Sequence, residues 1–391
     1  MHDVKEDLRR ATDRFGPPSI VLDDVRRGAR RRNGVRRIST AVITLLLVVA
    51  AGSLLVQAFG GAGTTLGQPV PAEQNGAIAY SAGGFRGGEV EGFRIGIADP
   101  ASGETRTVDG YLSAGAWSPD GSTLVFVRDP VATPDGDMGI WTVRSDGTDL
   151  RQLTDGAAGD YGPQWSPDGS RILFFRNHPD GAPTVTVMNA DGTDVERVAG
   201  TDDQMFFTAL WSPDGSRILT VRDEYASTQE GNPLWLAVMD ADGSNERVLV
   251  GGFLSQPQWS PDGSQIFYYA DGAVHVVDVA DARAQTVLDG VDPQGLSVFA
   301  VSPDGTRILY TQPNDHDQGE ELWIAAVDGT DPHQVAEGLE WREPSPTWSP
   351  DGTSVAFARG GDIWTIDLRT GEEHQVTNSP DHETLPVWGN A

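Results

Sequence analysis

The chain has no cysteine and only one lysine, Lys5, among its 391 residues. Lack of cysteine excludes disulfides, thiolate metal sites, a cysteine nucleophile and the lipid-attachment cysteine of bacterial lipoproteins. Stability outside a cell must then come from packing. No Gly-x-Ser-x-Gly nucleophile elbow and no glycine-rich phosphate-binding loop occurs either. Positive charge is scarce except at the start: residues 1–37 hold eleven Lys and Arg against six Asp and Glu, a net +5, which leaves −34 on the rest of a chain of net charge −29. So acidic a body repels nucleic-acid phosphates and anionic lipid headgroups, which argues against nucleic acid as a partner and serves solubility.

Long apolar runs are equally rare. Residues 38–59 are 22 residues without a charge, roughly 33 Å as a helix against a hydrocarbon core of about 30 Å. Arg26, Arg27, Arg30, Arg31, Arg32, Arg36 and Arg37 precede this run and the first charge after it is Glu73. The positive-inside rule therefore predicts a single-pass protein of the cell membrane with a cytoplasmic N-terminus and an extracytoplasmic body. The basic head is long for a cleaved signal, so a retained signal-anchor is expected, with cleavage near the small residues 58–63 as the alternative. The predicted division is a basic cytoplasmic head (1–37) with short helices over 3–15 and 20–32, a transmembrane helix (38–59), a flexible linker (60–74) and an extracytoplasmic body (75–391). The head resembles tails of actinobacterial membrane proteins, some of which bind cytoplasmic regulators such as sigma factors. It lacks the zinc-ligand His/Cys pattern of anti-sigma domains.

The body is dominated by repetition. Ser-Pro-Asp-Gly begins at Ser118, Ser166, Ser212, Ser260, Ser302 and Ser349, preceded by Trp except at Val301, and a degraded copy ends the chain as Pro386-Val387-Trp388-Gly389-Asn390. The copies are spaced 40 to 48 residues apart, a period that suits one four-stranded propeller blade each. Pro fits the position of a type I turn that needs φ near −65°, and Gly the position that needs positive φ, so each motif turns the inner strand into the second. The Asp-Gly pairs at Asp146, Asp191, Asp242 and Asp328 make the turn from third to fourth strand. Seven second strands can be counted, the first of them without an inner strand before it. The expected fold is all-β: a seven-bladed β-propeller of four-stranded antiparallel blades, closed by the C-terminal strand around Trp388.

Trp-Ser-Pro-Asp-Gly-Ser-Arg-Ile-Leu-Phe (165–174), followed by an Asp-Gly-Thr turn, resembles the repeat of TolB-type propellers, and the likeness covers residues 75–391. That family includes scaffolds, peptidase gates and lyases, and the separate N-terminal domain of TolB is missing here. With no nucleophile elbow and no length after Asn390 for a hydrolase domain, a propeller-gated peptidase is not expected. The expected function is non-catalytic: a scaffold or sensor binding a protein or envelope polymer, without a cofactor. The alternative is a metal-dependent sugar lyase or lactonase with its site at the channel mouth.

In a four-stranded meander the two tight turns leave one face and the remaining connections leave the other, so binding is expected on the second, loop-bearing face. Arg128, Arg176, Arg222 and Arg359 stand eleven residues after the motif Trp, at the loop-face end of the second strand. They either pair with neighbouring acidic groups or ring the channel mouth to receive a carboxylate or phosphate. Trp341 and Met205-Phe206-Phe207 are read as loop aromatics, either partner contacts or packed back on the frame. Asp315 and Asp317 resemble part of a calcium loop without its full spacing, and His178, His316 and His382 lie on loops of different blades. The motif tryptophans and Trp141, Trp235, Trp323 and Trp364 are expected between neighbouring blades.

Overall fold

The computed structural model describes residues 75–390, apart from 87–88, 110, 129–138, 179–180, 202–203, 225–233, 291–297, 314–318 and 340–345. The proposed head, transmembrane helix and linker lie outside the described residues, as do Trp341, Asp315, His316 and Asp317. Among the described residues no helix is long and apolar enough to cross a membrane.

Seven antiparallel sheets of four strands follow one another. Six run from inner to outer strand in sequence order, with inner strands Tyr111–Trp117, Asp160–Trp165, Gln204–Trp211, Leu254–Trp259, Phe299–Val301 and Thr347–Trp348 in blades 2 to 7. Blade 1 is composite. Its second, third and outer strands are Asn75–Arg86, Glu89–Ala98 and Thr105–Asp109, while its inner strand is the C-terminal Glu383–Asn390. In that pairing Ile78 faces Trp388 and Ala82 faces Glu383. The expected ring closure is therefore present. Asn390 Nδ2 also donates to Pro119 O at 2.6 Å, tying the last strand to blade 2.

Each Ser-Pro-Asp-Gly motif folds into a compact knot of hydrogen bonds. In blade 3, Gly169 N donates to Ser166 O at 2.8 Å and Gly169 has φ of 70°, the left-handed region that favours glycine. Ser166 Oγ donates to Asp168 Oδ1 at 2.6 Å, Ser170 N donates to the same oxygen at 3.0 Å, and Arg171 N returns to Ser166 Oγ at 2.9 Å. Five of these aspartates (Asp120, Asp168, Asp214, Asp262 and Asp304) are held below the usual carboxylate range; for Asp168 the Ser166 hydroxyl is the main cause.

The blades cohere through the motif tryptophans. Trp117, Trp211, Trp259, Trp348 and Trp388 are buried. Trp117 Nε1 donates to Val387 O at 3.1 Å, Trp259 Nε1 to Leu210 O at 3.4 Å and Trp348 Nε1 to Ala300 O at 3.1 Å. Each acceptor immediately precedes the motif position of the preceding blade. From the other side Arg171, Arg217 and Arg307, which begin second strands, lie over the rings of Trp211, Trp259 and Trp348 in the next blade at 4.8, 5.6 and 4.8 Å. Where Val301 replaces Trp, the corresponding position of the preceding blade holds Gln265 in place of Arg. Here a side-chain amide bridges the seam: Gln258 Nε2 donates to Phe299 O and Val301 N donates to Gln258 Oε1 at 3.0 Å. Trp141, Trp323 and Trp364 pack, half-buried, on the clusters between blades 1 and 2, 5 and 6, and 6 and 7, as expected, while Trp235 is half-buried against Gly251 of its own blade.

Trp388→Ala should cost about 3–5 kcal/mol in denaturant unfolding, because the ring seam closes on that side chain; truncation before Glu383 should cost more. An unchanged melting temperature in either variant would contradict closure by this strand. The depressed Asp pKa values contribute stability that is fully present above about 3.8, the unfolded value, and is lost as pH falls through the folded values. Asp120→Asn with Asp168→Asn should therefore flatten the loss of stability between pH 5 and pH 2.

Candidate functional site: the loop face

The tight turns occupy one face, so the longer connections and the loop-face ends of the inner and second strands form the candidate site. Arg128 and Arg359 end their second strands there and Arg176 and Arg222 stand two residues before the ends of theirs, but no guanidinium ring forms. Arg176 makes a two-pronged pair with Asp160 at 2.8 and 2.9 Å, and Asp160 is completely buried. Arg222 reaches Glu246 at 2.8 Å, and Arg359 reaches Glu373 while lying 4.3 Å over the Trp364 ring. Arg128 lies over Trp141 at 4.8 Å. The arginines of blades 4 and 7 thus run across their own sheets to acids beside or in the outer strand, away from the axis. Pairing with acidic groups holds for three of the four, but the acids are Asp160, Glu246 and Glu373 and not the adjacent loop residues. The side chains of blades 4 and 7 reach theirs across the third strand, as Arg359 does over Trp364.

Phe206 and Phe207 also depart from the expectation. They belong to an inner strand, not to a loop, and the strand bulges between Phe206 and Thr208. Phe206 is buried against Phe175, Ala209 and Trp211, between blades 3 and 4. Phe207, the extra residue of the bulge, is half-buried on the seam between blades 4 and 5. His178 and His382 are both on the surface, and no group of three or more His, Asp or Glu able to hold a metal exists among the described residues.

Two buried acids are the main polar feature at this end that the sequence reading missed. Asp160 and Glu383 each stand five residues before a motif Trp, at the start of an inner strand. Glu383 is 2% exposed and accepts from the Thr377 hydroxyl and from Ser379 Oγ at 2.7 Å. Burial pushes its carboxyl above the usual range, and the charges of Asp362 and Asp381 add to the effect. The nearby Tyr80 hydroxyl is pushed up as well, chiefly by burial. Asp381 is itself paired to Arg94 at 2.8 Å. The signal was an acid at a fixed offset from a repeated Trp; Glu343 shares the offset and lies outside the described residues.

Arg176→Met should destabilise by about 3–5 kcal/mol, since it strands a buried carboxylate; adding Asp160→Leu should recover much of the loss. For Glu383 the sign is opposite. Its folded pKa is raised, so ionisation opposes folding, and stability falls as pH rises from the unfolded value through the folded one. Glu383→Gln should raise the melting temperature at pH 7, with the gain shrinking towards pH 4; a loss at pH 7 would contradict the raised value.

Comparison with known proteins places this geometry. The model of the TolB beta propeller domain matches residues 89–288, just over half of the chain, and that of the dipeptidyl peptidase IV N-terminal region matches residues 302–386. Dipeptidyl-peptidase 5 of Porphyromonas gingivalis is 26% identical over 69% of this chain and 42% of its own length. The Tol-Pal system protein TolB of Alcanivorax borkumensis is 36% identical over 21% of this chain and 20% of its own. Oligogalacturonate lyase in complex with manganese superposes with a TM-score of 0.57 at 14% identity, covering 78% of this chain and 86% of that one, a likeness of fold. The matches span between 14% and 52% of the length of the curated relatives. Repeat, ring and family match agree, and the chain belongs to the TolB beta propeller domain family.

Proposed function

We propose that this protein is a membrane-anchored, extracytoplasmic binding scaffold or sensor whose propeller receives a protein or an envelope polymer on its loop face. The observation that carries the reading is the difference between the two faces. On the turn face the motif aspartates spend their oxygens on their own turns, as in the Asp168 and Asp214 knots. The loop face carries the segments that differ from blade to blade. A rigid frame with one uniform and one variable face presents its specificity on the variable one. Relatives named for the Tol-Pal system support a role among other proteins. The uncharged run at 38–59 with its preceding arginines supports the membrane placement.

Catalysis is the second reading, favoured by the similarity to dipeptidyl peptidases and by the fold shared with the lyase. In the peptidase form the propeller would admit or orient peptide. For the metal-dependent lyase or lactonase form, no ligand cluster is assembled among the described residues.

Photo-crosslinking separates the faces. Benzoylphenylalanine placed at Ala157 on the loop face, and at Asp281 on the turn face, should give one recurrent adduct in intact envelopes from the first position only. Adducts from Asp281 alone would overturn the proposal. Protease added outside intact cells should degrade the propeller; protection would refute the membrane topology.

A further inference from the structure

The seam between blades 3 and 4 is built differently from its neighbours. Two places beyond the register partner of the motif residue, the second strand carries a buried aromatic in six blades: Tyr80, Phe126, Phe174, Tyr268, Tyr310 and Phe357. In blade 4 that position is Thr220, which is completely buried. Its register partners are Ala209 and Ala237, so the whole row is small. Thr220 stands two residues after Ile218 on the same strand and therefore shares its face, the one turned to blade 3. There Ile218, Ala209 and Trp211 form one cluster with Leu173 of blade 3.

Three polar atoms are left over on this seam. Thr220 Oγ1, Trp211 Nε1 and Gln164 Oε1 are buried on residues no more than 3% exposed, and none has a hydrogen-bond partner among the described residues. Gln164 is the register partner of Leu173, which puts its side chain on the side of blade 3 that faces blade 4. Other seams satisfy the same groups directly. Trp259 and Trp348 donate to the carbonyl immediately before the preceding motif position; by that pattern the acceptor of Trp211 would be Gln164 O, and the bond is not made. Gln258 holds in blade 5 the place of Gln164 in blade 3, and both ends of its amide are used, on Phe299 and Val301. Phe175 and Phe206 also pack into the seam between blades 3 and 4, but they bring no side-chain polar atom to it.

We propose that this seam is a binding site for ordered water, held between Thr220, Trp211 and Gln164. Water is the ligand that all three groups match together: the indole N–H only donates, the amide oxygen only accepts, and the hydroxyl does either. Buried waters typically make about three hydrogen bonds to groups that the protein itself leaves unsatisfied. An ion does not suit the set, because a cation would meet the indole N–H and an anion the amide oxygen. Nor does a larger molecule, since residues so deeply buried offer it no entrance. A dry seam would leave each of the three groups with the full cost of its lost hydration. Water thus does here what a direct indole bond and a direct amide bridge do elsewhere in the ring.

The sign of the melting shift in Thr220→Val separates a hydrated seam from a dry one, because valine keeps the shape of threonine and removes only the hydroxyl. On a hydrated seam a hydrogen bond is lost and the melting temperature of the full chain should fall; on a dry seam an unpartnered hydroxyl is removed and it should rise. Gln164→Leu should lower it as well. Because the two side chains share the water, the double variant should lose less than the sum of the single losses. No change or a rise in either single variant overturns the site, and so do losses that add in full. A crystal structure of the full chain should show water about 2.7–3.2 Å from at least two of the three atoms. A seam without such water, or with the three groups bonded to the protein instead, overturns the proposal.

Discussion

Everything in this fold depends on backbone pairing between its last strand and its first. Without it the second strand of blade 1 would be left at the edge of its sheet with a row of unpaired donors and acceptors. The strand Glu383–Asn390 removes that edge by laying Trp388 opposite Ile78 and Glu383 opposite Ala82. Closure also fixes the loop-face groups at the seam. Glu383 N donates to Gly361 O in blade 7, and Gly83 N in blade 1 donates to His382 O. The buried carboxylate thus sits where three chain segments meet, and its ionisation acts on the joint itself.

Between the other blades, cohesion is distributed over small repeated contacts. At most of these seams a tryptophan fills the space; the indole N–H of Trp117, Trp259 and Trp348 finds the preceding inner strand, those of Trp165 and Trp211 find no partner, and an arginine from the preceding blade covers the rings of Trp211, Trp259 and Trp348. A cation over an indole face adds roughly 0.5–2 kcal/mol to the area buried, so no single seam dominates. The sixth blade is bridged differently: with Val301 in place of Trp, the partner position holds Gln265 and the amide of Gln258 takes over the bridging. A polar bridge is a reasonable substitute there, because both its donor and its acceptor are satisfied by the facing strand.

The fold was legible because its determinants are local and recur in register. Proline, aspartate and glycine at fixed offsets specify a turn without reference to the rest of the chain, and the degraded copy around Trp388 stands where the first blade lacks a strand. The site was less legible because its contacts are made across strands and blades. Arg222 and Arg359 look alike in sequence and pair with Glu246 and Glu373, a reach across the sheet that is invisible in one dimension. Met205-Phe206-Phe207 reads as a loop because it breaks the repeat; a bulge absorbs the irregularity and keeps it in a strand.

Net charge is a poor guide to what such a molecule binds. The body carries −34, but much of that acidity is structural: aspartates such as Asp168, Asp191 and Asp242 accept from the hydroxyls and amides of their own turns, and others, such as Asp160 and Asp381, are paired to arginines. A carboxylate whose oxygens are engaged within its turn still contributes to the long-range field, but it offers a partner fewer free acceptor sites. Long-range attraction of cations therefore belongs to the whole surface. The repeat makes one face uniform, and on the proposed binding role it is the irregular connections of the other face that distinguish one partner from another.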